Sequence, residues 1–197
     1  MARPKEFERG TALQRAVEVF SQHGYEGTST EALLHAMGIN RQSMYDTFGI
    51  KRRLYLEALQ RYVADSVSDQ IRALRASTPA IRGLEAHLDD VVNRASADPS
   101  PSCLGLSAIC EFGRSDPEVT RVGERAAKAL RSALEHRIAE AKTAGDVSPD
   151  VDVTEAAHFI TAAIAGIKMA ARAGASVRTL RAIARMTLRS LSRARAC

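Results

Sequence analysis

Between Arg41 and Phe48 the chain sets Arg41, Gln42, Ser43, Tyr45 and Thr47 around two apolar residues, Met44 and Phe48. On a helix, Met44 and Phe48 share one face at i, i+4 and turn inward. A guanidinium, an amide and three hydroxyls are left outside. These are groups that meet base edges and phosphates, the chemistry of duplex recognition rather than of bond making. Elsewhere the sequence holds no phosphate-cradling Gly loop, no histidines paired at metal-ligand spacing and no nucleophile beside an evident base. No catalytic residue, no metal site and no cofactor is therefore expected, and an enzyme is excluded.

Such side chains read a groove only if short helices and tight turns hold them. Leu13, Ala16, Val17 and Phe20 recur at the spacing of an amphipathic helix. Gly24 follows where a helix C-terminus favours a residue tolerant of positive φ. Thr28, Ser29 and Thr30 each offer an N-cap oxygen for a second helix, and Glu31 suits the positive end of its dipole. Gly38 breaks that helix, Ile39 plugs the turn, and Asn40 caps the next one. This punctuation is that of a helix-turn-helix whose second helix enters the major groove by its N-terminal residues.

Residues 28–54 resemble the DNA-binding motif of the TetR (tetracycline-repressor) family of bacterial transcription regulators. The resemblance is carried by Thr28-Ser29, by the turn Ala36-Met37-Gly38-Ile39, by Tyr45 with Phe48, and by Lys51. The chain departs from the family pattern at Ser43, where many members have Gly, and at Thr47, where many have His. Both departures bear on which base sequence is read. The resemblance implies that Arg41, Gln42 and Ser43 face base edges, with Arg suited to guanine and Gln to adenine. It implies that Thr28, Thr30, Tyr45, Thr47 and Lys51 contact phosphates of a double-stranded operator.

Composition agrees with this. The chain has 197 residues, 45% hydrophobic and 26% charged, with a net charge of +5. No apolar run is long enough for a transmembrane helix, and MARPKEFERG lacks the apolar core of a secretory signal. A cytoplasmic protein without a membrane partner is expected. Arg3 and Lys5 are candidates for a basic arm along DNA. Charge is unevenly placed: residues 1–64 carry a net +2, 65–167 a net −5, and 168–197 a net +8. Arg181, Arg185, Arg189 and Arg193 form a ridge at i+4 spacing, expected to pair with acidic residues of the middle region.

Beyond residue 54 the pattern is helical throughout, with helices expected near 51–76, 80–96, 102–113, 116–143, 152–173 and 176–195. The expected fold is all-α: an N-terminal three-helix bundle with the helix-turn-helix (1–54) and a larger C-terminal helical effector and dimerisation domain (55–197). The segment 152–173, rich in Ala and Ile, reads as buried on most sides, and with 176–195 it suits a homodimer four-helix bundle. Dimerisation is what the family resemblance implies, and two heads one helical turn apart read a palindrome. The resemblance also implies an unidentified small-molecule effector that releases a repressor. Its expected lining is Leu84, His87, Leu88 and Val91, then Leu106, Ile109, Cys110 and Phe112, with Phe159 closing the pocket.

Three cysteines without metal-ligand spacing suit a reducing compartment. On one helix, Cys103 and Cys110 lie about 10.5 Å apart along the axis, too far to bridge. A thiol near a helix N-terminus is activated, so a redox- or electrophile-sensing regulator acting through Cys103 is a second reading. A third is a small-molecule-binding helical protein without DNA-binding activity.

Overall fold

The structure, a computed structural model, describes residues 7–97 and 103–191. Those residues form nine helices and no strand, as expected. They are α1 (Arg9–His23), α2 (Thr30–Met37), α3 (Arg41–Phe48), α4 (Lys51–Arg75), α5 (Ala80–Ala97), α6 (Leu104–Phe112), α7 (Pro117–Thr143), α8 (Val153–Arg172) and α9 (Val177–Arg189). None is long and apolar enough to cross a membrane.

The chain divides into two compact units, residues 1–65 with 102–124, and 66–101 with 125–197. This differs from the boundary expected at 54/55. The first turns of α4 and all of α6 belong to the first unit because they share its core. Leu54, Tyr55, Ala58 and Leu59 of α4 and Leu104 and Ala108 of α6 are buried in one cluster with Phe20, Leu33, Met44 and Phe48. Burying each of the larger side chains contributes about 1.5–3 kcal/mol. Four rings interlock in it: Tyr55 meets Phe20 at 5.1 Å and Tyr25 at 5.0 Å, and Phe112 lies 5.7 Å from both tyrosines.

In the second unit Leu84, Leu88, Val91 and Val92 of α5 pack with Leu130, Leu134 and Ile138 of α7 and Ile160, Ile164 and Ile167 of α8. Leu180 and Ala184 of α9 complete that core. Asp152 and Ser176 cap α8 and α9 through Glu155 N–H and Thr179 N–H. Within a single chain 152–173 is buried on one side, and Phe159, Ala162, Ala165, Gly166 and Met169 are exposed along the other. Its many alanines suit close helix contact, but this chain covers only one side of them.

Candidate nucleic-acid interface

The reading helix is held by local chemistry from both ends. Ser29 Oγ accepts from Ala32 N–H at 3.0 Å and starts α2. Gly38 ends it in the left-handed region at φ 65°, where a side chain would be strained. Asn40 Oδ1 then accepts from Ser43 N–H at 2.8 Å and starts α3. Met44 and Phe48 are buried beneath α3, fixing which side faces out. Arg41 and Gln42 are exposed, Ser43 and Thr47 are half-buried at its rim, and Tyr45 is 42% exposed.

Two of the outward side chains are already engaged. Arg41 Nη2 pairs with Glu31 Oε1 of α2 at 2.5 Å. Gln42 Nε2 donates to Asp46 Oδ1 at 2.8 Å, one turn along α3. Neither carboxylate was singled out from sequence as part of the site. The Gln42–Asp46 spacing of i, i+4 is a signal that could have found one of them. The Glu31–Arg41 pair joins two helices and has no such local signature.

Lys51 opens α4, its Nζ 4.3 Å from the centre of the Tyr25 ring. A cation held there adds to the positive end of the helix, a favourable place for a phosphate. Thr30 is half-buried at the first position of α2. Thr28 departs from expectation. It is 2% exposed, and its hydroxyl donates to Gly24 carbonyl at 2.6 Å. The hydroxyl closes the α1–α2 turn instead of facing a phosphate.

A clamp that sequence reasoning did not find fastens α6 beneath the turn before α2. Glu111 accepts from Tyr25 N–H at 2.9 Å, and a Cβ at Gly24 would lie 2.0 Å from Glu111 Oε1. Arg52 of α4 pairs with Asp116 at 2.5 Å, and Asp116 also caps α7. The Val119 N–H and the Arg52 guanidinium hold the Asp116 carboxyl below its ordinary range.

The residues expected to line an effector pocket divide between the two units. Leu84, His87, Leu88 and Val91 are buried on α5 in the second unit. Neither ring nitrogen of His87 has a hydrogen-bond partner among the described residues, and burial holds its imidazole down to about 4. On α6, Ile109 is 64% exposed and Cys110 is exposed, contrary to expectation; Leu106 is half-buried. The buried face of α6 is Leu104, Ser107 and Ala108, so the inward side is set by Leu104 with two small residues rather than by Ile109 and Cys110. Phe112 packs on Tyr25 and Tyr55. Phe159, expected to close a pocket, is 49% exposed. Two surface clefts, of about 600 Å³ beside α1 and about 370 Å³ between α4 and α7, are lined by none of these residues.

Cys103 is the N-cap residue of α6 and makes no side-chain cap bond. Its thiol lies in hydrogen-bonding contact with the phenol of Tyr62, which burial pushes up from its ordinary range. Arg181, Arg185 and Arg189 are exposed on α9 and form no ion pair among the described residues, so the pairing expected for them is not seen. Arg3, Lys5 and Arg193 lie outside the described residues.

Residues 12–58 match the family described as bacterial regulatory proteins, tetR family, and residues 80–187 match the tetracyclin repressor-like C-terminal domain. The chain belongs to the TetR family. It is 36% identical over 163 residues to the HTH-type transcriptional regulator YezE of Bacillus subtilis (strain 168), covering 81% of this chain and 84% of YezE. It is 28% identical over 189 residues to the HTH-type transcriptional repressor ComR of Escherichia coli (strain K12), covering 95% and 90%. Among solved structures it resembles the TetR family regulator CifR, in a cysteine-substituted form bound to 26-base-pair operator DNA. There the TM-score is 0.80 and the identity 30%, over 96% of this chain and 100% of that one. This TetR-family chain is thus a DNA-binding transcriptional regulator and not an enzyme.

Proposed function

We propose that the chain is a cytoplasmic homodimeric repressor that reads a palindromic operator through α3 and leaves it when a small molecule binds the helical body. The observation that carries this reading is α3 itself. Asn40 caps it, Met44 and Phe48 anchor it, and Arg41, Gln42 and Ser43 stand at its free N-terminal end. Tyr45, Thr47, Thr30 and Lys51 flank that end as phosphate partners. Dimerisation is supported by the exposed stripe Phe159, Ala162, Gly166 and Met169 on α8, with Val177 and Met186 exposed on α9. An apolar face of this kind is what a second copy would cover.

For the effector, His87 is the expected lining residue with unmet hydrogen-bonding capacity, flanked on α5 by Leu84, Leu88 and Val91. That combination suits a largely apolar molecule with one hydrogen-bonding group. Release would draw only on the effector's differential affinity for the DNA-bound and free conformations.

Sedimentation of the protein with a fluorescent duplex tests the reading. The expected species holds two chains per duplex, and affinity falls steeply between about 50 and 200 mM salt as phosphate contacts release counterions. A monomeric chain with salt-independent binding would overturn it. A second reading, release through a thiol, rests on Cys103, half-buried at the N-cap of α6. A Cys103→Ser variant still released from DNA by oxidants or quinones would exclude it.

A further inference from the structure

We infer that Asp46 and Glu31 are specificity-determining residues, holding Gln42 and Arg41 in the orientation that selects a base and weakening attachment to DNA of the wrong sequence. This rests on the reading that Arg41 and Gln42 face base edges.

The Gln42–Asp46 bond settles the sense of the Gln42 amide. Its nitrogen, not its oxygen, must face the carboxylate, because a carboxylate only accepts hydrogen bonds. One amide N–H is consumed, leaving one N–H donor and the Oε1 acceptor. Adenine offers N7 to accept and N6 to donate in the major groove, matching that pair; guanine offers two acceptors. An untethered glutamine amide can turn both N–H groups toward guanine. Tied to Asp46, it has only one to give. Asp46 therefore converts a tolerant amide into an adenine reader.

Glu31 acts likewise from the neighbouring helix. It takes one N–H from Arg41 Nη2 and leaves the rest of the guanidinium fork for the O6 and N7 of guanine. The ion pair also restricts a long side chain, so less rotamer freedom is lost on docking.

Neither carboxylate has another partner among the described residues. Asp46 lies in the last turn of α3, where the helix dipole disfavours an anion. Both carboxylates also stand on a surface that meets phosphates, in a stretch whose net charge over residues 1–64 is only +2. Each repels any duplex, and the matched base contacts must overcome that repulsion.

The test is selection of bound duplexes from a random library with the full chain and its Gln42→Ala, Asp46→Asn, Asp46→Glu and Glu31→Gln variants, alongside binding to a random duplex. In the wild type, the position that Gln42→Ala flattens should prefer adenine by about tenfold or more. Asp46→Asn should narrow that preference to within about threefold by admitting guanine, while affinity for the random duplex rises severalfold. Asp46→Glu, which restores a carboxylate within reach, should recover the preference. Glu31→Gln should raise random-duplex affinity and blur the position read by Arg41. Retention of the full adenine preference by Asp46→Asn would overturn the inference, as would loss of its binding to every duplex. A wild-type motif that Gln42→Ala leaves unchanged at every position would instead overturn the base-facing reading, and the inference with it.

Discussion

Replacing His87 with leucine should stabilise the second unit rather than damage it. The imidazole is 0% exposed on α5, and neither nitrogen finds a partner among the described residues. An unsatisfied buried donor or acceptor costs about 1–3 kcal/mol, whereas an apolar side chain of similar volume leaves nothing unpaired. A gain of about that size is expected at pH 7. Acid gives a second, independent signature. Burial moves the imidazole from 6.5 down to about 4; Asp90 opposes the shift, and Lys168 and Arg94 add to it. The unfolded chain binds a proton at this site near pH 6.5 and the folded chain only near 4. Stability tied to the neutral ring is thus complete above pH 6.5 and is lost as pH falls from there through 4. At about 1.4 kcal/mol per pH unit the loss totals about 3–4 kcal/mol. The carboxyls of Asp69 and Asp116, held below their ordinary 3.8, lose their contribution at lower pH still. Urea midpoints of both proteins, followed by helical circular dichroism from pH 7.5 to 4.5, measure the difference. The leucine variant should start higher and decline less over that window. A variant less stable at pH 7, or one declining in parallel with the wild type, would refute the reasoning.

Gly83→Ala should destabilise the second unit by about 1–3 kcal/mol, because the added Cβ would meet Leu74 carbonyl at 2.3 Å and Arg137 Nη2 at 2.7 Å. An unchanged urea midpoint would show that α5 is not packed as described. Tyr45→Phe should weaken binding to every duplex about equally, by about 0.5–1.5 kcal/mol for one lost hydrogen bond; a sequence-dependent loss in titrations would assign Tyr45 to a base. Arg41→Ala should cost about 1–3 kcal/mol against the matched duplex and relax a single base pair, and uniform loss across sequences would make it a phosphate contact. Phe159→Glu should yield monomers by sedimentation, since the side chain is 49% exposed and lies outside the intrachain core. A persistent dimer would place the interface elsewhere.

The helix-turn-helix is legible in the sequence because each of its instructions is local. Ser29, Gly38 and Asn40 act through their own neighbours' backbone, and Met44 with Phe48 marks the inner face of α3 within one turn. The α6 helix is not legible in that way. Its larger apolar residues suggest an inner face containing Ile109, yet the helix packs by Leu104, Ser107 and Ala108, as only its tertiary neighbours decide. The same holds for the division at residue 65, which follows from α4 and α6 sharing one core with α1. Thr28 illustrates a different failure: a hydroxyl near the expected DNA surface satisfies a turn carbonyl first. His87 stands in the sequence as one apolar-face residue of an expected lining, and its isolation from any partner emerges only when the surrounding helices are in place.

Selection of bound duplexes from a random library by the purified wild-type chain tests most directly whether α3 reads DNA as one of a symmetric pair. The expected result is an inverted repeat with half-site centres about one helical turn, roughly 34–36 Å, apart. Recovery of no motif at low salt, or of a single unrepeated half-site, would contradict a dimeric base-reading head.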